Sequence, residues 1–210
     1  MELFEKNNHF LYLVGGSVRD HLLGIDFTDM DAVTDATPEE MKNFLADYDD
    51  TFKKYGNLKV KFKGLSFDIT TLRKEVDYSD FRHPGKIVFT NKLEEDVVRR
   101  DISINALYMD KKLNVIDLVD GVDDLNNKVI RLIGDKERRI IEDPLRILRI
   151  FRFSIDLDFK IEDDTYYVIK RNLILLNKLN IDKVKMEINK CKHKQDLLNL
   201  LKLMNVDLKL

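Results

Sequence analysis

Apolar and polar positions follow two different periods along this chain, and the change between them divides it. The first apolar run, Phe10 to Val14, breaks at Gly15-Gly16 and gives way to a short amphipathic segment from Ser17 to Leu23. This predicts a strand, a glycine turn and a helix. Asp29 and Asp31 follow, one residue apart. Thr37-Pro38-Glu39-Glu40 predicts a helix start, with threonine as cap, proline in the first turn and Glu40 able to close a capping box. That helix is expected to run to about Ala46. Apolar alternation at Val60 and Phe62, then at Phe67 and Ile69, predicts strands, the last two joined as a hairpin at Lys63-Gly64.

From Arg73 to Asn91 the periodicity fails, and the segment reads as a long polar loop around Pro84-Gly85. Loops of that length inside a domain are commonly functional. A helix from Leu93 to about Arg100, a strand through Ala106 to Met109, the strand NVIDLVD, a turn at Gly121 and the short strand VIRLIGD complete an α/β half. From Lys136 the pattern is helical to the end. Ile147, Ile150 and Phe151 share one stripe, Arg146 and Arg149 lie near each other on another face, and Arg152 follows three residues on. Asp143 precedes Pro144 and reads as the cap of this helix. Three more helices are expected, around 163–176, 182–191 and 195–204. The expected organisation is therefore α+β, with a mixed sheet and helices over 1–137 and a helical domain over 138–210.

Composition narrows this little. The chain has 210 residues, 44% of them hydrophobic, and a formal net charge of −2, so no global basic excess announces a nucleic acid. The distribution is more telling: Lys170, Arg171, Lys178, Lys183, Lys185, Lys190, Lys192 and Lys194 stand against only Asp182 and Glu187 in their stretch. Such a block is either a solvated helix face or a surface for a polyanion. The single cysteine, Cys191, excludes an intramolecular disulfide and a cysteine-based metal site. No N-terminal apolar core follows a basic region and no apolar run approaches membrane-spanning length, so a cytoplasmic protein with no membrane partner is expected.

The candidate chemistry concentrates early. Glycines without Cβ atoms let a ligand approach backbone N–H groups closely, and the helix after them turns its positive end toward the same turn. Arg19 adds a forked donor for phosphate oxygens. Asp29 and Asp31, two apart in a strand, point to one face and can share divalent cations. A lone Gly-Gly or a lone Asp-x-Asp is ordinary in a turn or at a strand end; their ordered combination is not. Asp68 becomes a third carboxylate if its strand lies beside that of Asp29 and Asp31, and is otherwise an edge residue facing water. His83 reads as a loop residue, since phosphoryl transfer on two metal ions needs no histidine base. Arg99, Arg100 and Asp101 are either an ordinary helix end or, with Asn105, a set that hydrogen-bonds a ribose and its phosphates. Asp143 beside stacked arginines could read a nucleobase edge, or simply cap a helix with a solvated basic face.

Taken as a set, LVGGSVRDHLLG with DMD, FDITTLR, the RHP loop, DVVRRDISINAL, IRLIGD and EDPLRILRIFRF resemble the bacterial-type, class II tRNA nucleotidyltransferases, the family of CCA-adding enzymes and bacterial poly(A) polymerases. The resemblance runs from about Phe10 to Cys191. It implies a polymerase-β-like nucleotidyltransferase head over 1–137 and an all-helical neck over 138–210. It further implies that Gly15, Gly16 and Arg19 hold the triphosphate, that Asp29 and Asp31 bind two Mg²⁺ ions with Asp68 as a further catalytic carboxylate, and that Arg100, Asp101 and Asn105 recognise the ribose. Asp143, Arg146, Arg149 and Arg152 become the amino-acid template that selects CTP and then ATP, and the 73–91 segment becomes the flexible element used in the switch to ATP. Many relatives carry glutamate where Asp68 stands. The implied activity is addition of CCA to a tRNA 3′ end with release of pyrophosphate; CC-only, A-only or poly(A) addition, a tRNA-modifying toxin, and a non-catalytic RNA-binding accessory protein are the alternatives. Relatives continue into body and tail domains that grip tRNA, so a short version of the family is expected, with the acceptor stem met by Lys183, Lys185, Lys190, Lys192 and Lys194, and with room for a homo-oligomer.

Overall fold

The computed structural model describes residues 1–27, 29–78 and 84–206, of which Asp29, 76–78 and 84–85 are described by backbone alone. His83 lies outside the described residues. The chain packs as two compact units, one of Met1–Val76 with Lys86–Val122, the other of Asp77–Gly85 with Asp123–Leu210.

As far as Ile116 the chain runs α1 (Glu2–Lys6), β1 (Leu11–Val14), α2 (Gly16–Leu22), β2 (Asp29–Thr34), α3 (Pro38–Lys42), β3 (Tyr48–Asp49), β4 (Asn57–Phe62), β5 (Leu65–Thr71), β6 (Arg73–Tyr78), β7 (Pro84–Phe89), α4 (Leu93–Val97), β8 (Tyr108–Met109) and β9 (Val115–Ile116), all in the first unit except the 77–78 and 84–85 ends of β6 and β7. Seven strands form one sheet in the order β3-β4-β5-β2-β1-β8-β9. Its centre is the parallel pair β2 and β5, and the neighbouring pairs are antiparallel. The sheet is therefore mixed. Alternation sorts its residues by face: Leu11, Ala32, Leu58, Val60 and Ile69 pack with Phe4, Ala36 and Met41 into a core, while Asp31, Val33, Asn57, Lys59, Asp68 and Thr70 line a cavity.

Local signals explain several elements. Thr37 caps α3, accepting the Glu40 N–H while the Glu40 carboxylate accepts the Thr37 N–H, so the expected capping box is present. The helix ends at Lys42 rather than Ala46, because the Asn43 N–H already closes on the Glu40 carbonyl. Lys63 and Gly64 both take positive φ, 50° and 80°, and pair Phe62 with Leu65 across the turn. Two consecutive left-handed residues match the twist of a hairpin.

Five expectations are corrected. The 73–91 segment is not a long loop: β6 and β7 form a separate two-stranded sheet. Lys86, Val88 and Phe89 are exposed along β7, so its hydrophobic alternation never developed. Gly121 is not an isolated turn but opens α5 (Gly121–Asn126), where the Asp117 carboxylate accepts the N–H groups of Gly121 and Val122. The strand in VIRLIGD is β10 (Val129–Ile130), and it does not join the large sheet; it pairs in parallel with β11 (Lys160–Ile161). The second unit is thus not purely helical, and residues 123–137, expected with the first domain, pack with the second.

The rest of that unit is α6 (Lys136–Glu142), α7 (Leu145–Leu157), α8 (Asp163–Asn172), α9 (Ile181–Asn189) and α10 (Lys194–Leu203). Ile147, Ile150 and Phe151 are fully buried, as the stripe on α7 predicts. Ion pairs bind its parts: Arg131 holds Asp124 at 2.8 Å and Glu162 at 2.9 Å, and Arg152 on α7 meets Glu187 on α9 at 2.9 Å. Among the described residues, no helix is long and apolar enough to cross a membrane.

Candidate active site

The cavity on the first unit measures about 510 Å³. Its floor is the central strand pair. Parallel pairing sets Asp31 directly opposite Asp68 and Asp29 opposite Ser66, and directly opposed residues of neighbouring parallel strands point to one face. β5 lies inside the sheet, between β4 and β2, so Asp68 is not an edge-strand residue. Beside Asp68 stands Lys59, its ammonium 3.2 Å from a carboxylate oxygen.

Over this floor comes the β1–α2 turn. Gly15 has φ +74°, and a Cβ built there would lie 3.4 Å from Asp31 Oδ2. Ser17, at the start of α2, accepts the Asp31 N–H at 3.0 Å and fixes strand to helix. Arg19 is buried; it donates to Asp20 at 2.8 Å and to Asn105 Oδ1 at 2.6 Å. Two residues expected to meet a nucleotide, 86 positions apart, are thereby in direct contact.

The wall is cationic. Arg73, Arg99 and Arg100 line it, with Phe52, Tyr55 and Asn57. Arg99 and Arg100 follow α4 and share the carboxylate of Asp96, which is fully buried. Burial alone pulls Asp96 upward, but the Arg100 and Arg99 guanidiniums outweigh it and hold the carboxyl below its ordinary range. Arg100 is shifted up: burial opposes its charge, and Asp96 and Tyr108 together more than offset that. Asp96, Lys59, Tyr55 and Arg73 were missed by the sequence reading. For Asp96 a signal existed, since it stands three and four residues before the two arginines on a helix.

The described carboxylates suit a divalent cation: Asp31 and Asp68 offer hard oxygen ligands on one face, the donor set that Mg²⁺ takes. The side chain of Asp29 lies outside the description. Among the described residues no group of three ligating side chains gathers.

The remaining candidates belong to the second unit. Asp143 is buried; its carboxylate accepts the Leu145 N–H at 3.2 Å and pairs with Arg149 at 3.2 Å. Arg146 is buried rather than on a solvated face, and donates to the Arg139 carbonyl at 2.6 Å. Arg152 is engaged by Glu187 and stacks on Phe153 at 4.1 Å. Of the lysines, Lys185 and Lys192 are exposed and Lys183 partly so, while Lys190 pairs with Glu187 at 3.2 Å and Lys194 donates to Asn189 at 2.6 Å.

A mixed sheet with paired aspartates at its centre, a glycine turn above them and an arginine wall beside them is the working end of a nucleotidyltransferase-type fold. The chain belongs to the poly A polymerase head-domain family, whose model matches residues 11–131. Similar proteins include CCA-adding enzymes. That of Ligilactobacillus salivarius is 47% identical over 176 residues, 84% of this chain and 44% of the relative; that of Staphylococcus haemolyticus is 37% identical over 190 residues, 90% and 48%. The chain thus spans about half the length of the curated relatives it matches. Among solved structures, the Bacillus stearothermophilus CCA-adding enzyme in complex with CTP superposes with a TM-score of 0.88 at 32% identity, covering 98% of this chain and 51% of that one. A tRNA nucleotidyltransferase complexed with a primer tRNA and an incoming ATP analog gives 0.81 at 30% identity, covering 98% and 60%.

Proposed function

We propose that this chain carries the catalytic part of a tRNA nucleotidyltransferase that adds CCA to tRNA 3′ ends. The observation that supports it most directly is the opposed pair Asp31 and Asp68 under Gly15, on the floor of a cavity walled by Arg99 and Arg100. The 3′-hydroxyl of the RNA attacks the α-phosphorus of CTP or ATP; a new P–O bond forms, the α–β bridging bond breaks, and pyrophosphate leaves. Gly15, Gly16 and Arg19 hold the triphosphate, and Arg100 with Asp101 and Asn105 takes the ribose side. Arg99 and Arg100 place fixed positive charge where the transferring phosphoryl group becomes more anionic. Asp29, Asp31 and Asp68 would hold two Mg²⁺ ions, which when bound lower the charge on the phosphoryl oxygens and favour an ionised hydroxyl.

Base choice falls to Asp143, Arg146 and Arg149, because a carboxylate accepts from an exocyclic amino group and a guanidinium donates to ring acceptors. A nucleotide without the matching edge leaves buried donors unpaired, which discriminates strongly. Arg152 steadies these residues through α7 and Glu187. Lys183, Lys185 and Lys192, with Lys190 and Lys194 beside them, offer charge to an acceptor stem.

The test is incubation with tRNA ending at the discriminator base and each labelled nucleotide. CTP alone should extend the RNA by two residues and CTP with ATP by three, then stop. Extension by C residues alone would assign CC-only addition, by A on a CC end alone A-only addition, and a long A tract poly(A) synthesis. No incorporation, with RNA still bound, would overturn the enzymatic reading.

A further inference from the structure

We infer that Asp96 is a positioning residue of the candidate site: one buried carboxylate aims the two guanidiniums that line the cavity and thereby sets how tightly, and how selectively, a ribonucleotide is held. The inference rests on the reading that Arg100 meets the nucleotide on its ribose side.

Asp96 lies on α4 and is 0% exposed, so it cannot itself touch a substrate. Its two oxygens divide the work. Oδ1 accepts from Arg99 Nε at 2.8 Å and Nη2 at 2.7 Å; Oδ2 accepts from Arg100 Nε at 3.0 Å and Nη2 at 2.8 Å. Each guanidinium is held by one edge of its fork, which fixes its plane as well as its position. The carboxylate is itself anchored: Tyr108 donates its hydroxyl to Oδ2 at 3.0 Å, and the Arg73 N–H donates to Oδ1 at 3.3 Å. Tyr108 is fully buried on β8, and the Arg100 guanidinium lies over its ring at 5.2 Å. The anchor therefore reaches the seven-stranded sheet through β8 and the β6–β7 ribbon through the start of β6.

Charge explains why the carboxylate is needed. Guanidiniums on consecutive residues repel, and repulsion is stronger where protein replaces water. An anion between them cancels that repulsion and leaves each arginine one orientation. Replacing it by a neutral amide leaves two partly buried cations sharing one carbonyl oxygen, so their aim is lost before their charge.

The experiment compares wild type with Arg100→Ala, Asp96→Asn and Tyr108→Phe. It measures KM and kcat for CTP and for 2′-deoxy-CTP on a priming tRNA, beside thermal unfolding. Asp96→Asn should raise KM for CTP about tenfold with kcat held within about threefold, and should lower the preference for CTP over 2′-deoxy-CTP toward that of Arg100→Ala. A folded Asp96→Asn with wild-type KM and preference, while Arg100→Ala loses both, overturns the positioning role and leaves the reading of Arg100 standing. Equal losses with both nucleotides, tracking a fall in melting temperature, also overturn it as mere scaffolding. An unaffected Arg100→Ala overturns the reading and this inference together. Should Asp96→Asn fail to fold, Tyr108→Phe decides: it keeps every charge but removes the hydroxyl that ties Oδ2 and that also accepts from Arg100 Nε at 3.3 Å, and should raise KM for CTP about threefold with a reduced preference. Wild-type values in that variant overturn the proposal.

Discussion

At Gly15 a single methyl group is enough to damage the site. Its φ of +74° is strained for any L side chain, and the added carbon would sit in contact with the Asp31 carboxylate on the side a ligand approaches. Gly15→Ala should cost about 1–3 kcal/mol of stability, seen as a lower melting temperature, and should reduce incorporation of labelled CTP by more than the stability loss explains. Asp31→Asn keeps the shape and removes the charge; incorporation should fall about a thousandfold with an unchanged circular dichroism spectrum. Asp96 makes a separate prediction about acid. Its carboxyl titrates below the ordinary range in the folded protein, since burial is outweighed by Arg100 and Arg99. The stability this provides is fully present above the unfolded value of about 3.9 and is lost as pH falls through the lower folded value. Urea midpoints measured between pH 6 and 2 should drop steeply at the acid end in wild type, and less steeply in Asp96→Asn.

At the scale of elements, two struts stand out. The β6–β7 ribbon is tied at both roots to α4: Lys74 meets Glu95 at 2.7 Å, and the Thr90 hydroxyl donates to the same carboxylate. In the second unit Arg152 joins α7 to α9 through buried Glu187. Glu187→Ala would leave that guanidinium unpaired, and unfolding should show a loss of about 3 kcal/mol; adding Arg152→Met should recover part of it. Which elements were legible follows from where their information sits. The α3 capping box and the Lys63-Gly64 turn are written within four residues, and both are present as expected. β10 and β11 are two residues long and pair across 31 positions, so neither carries a period of its own. α5 depends on the side chain of Asp117, outside the helix it caps. The ribbon's exposed positions gave no alternation to detect.

For the molecule as a whole, the candidate site was readable in residue types but not in their company. The spacing of Asp29 and Asp31 and the glycine turn are local, whereas Arg19 touching Asn105 and the burial of Asp96 exist only once the chain has folded. Because the cores of both units are apolar, chelation of divalent cations should abolish incorporation, with recovery on adding Mg²⁺, while moving the melting temperature by only a few degrees. The parallel match of Asp31 with Asp68 has one more consequence. A slip of one residue along β5 would offer Phe67 or Ile69 to the nucleotide and drive an aspartate into oil. The brake against that slip is the hairpin bend at Gly64, where an added Cβ would meet nothing within 4 Å but the φ of +80° is strained for an L side chain. Preparations of Gly64→Val should therefore contain fewer competent molecules, each turning over at the normal rate. A surface glycine remote from all chemistry would then govern yield, not speed.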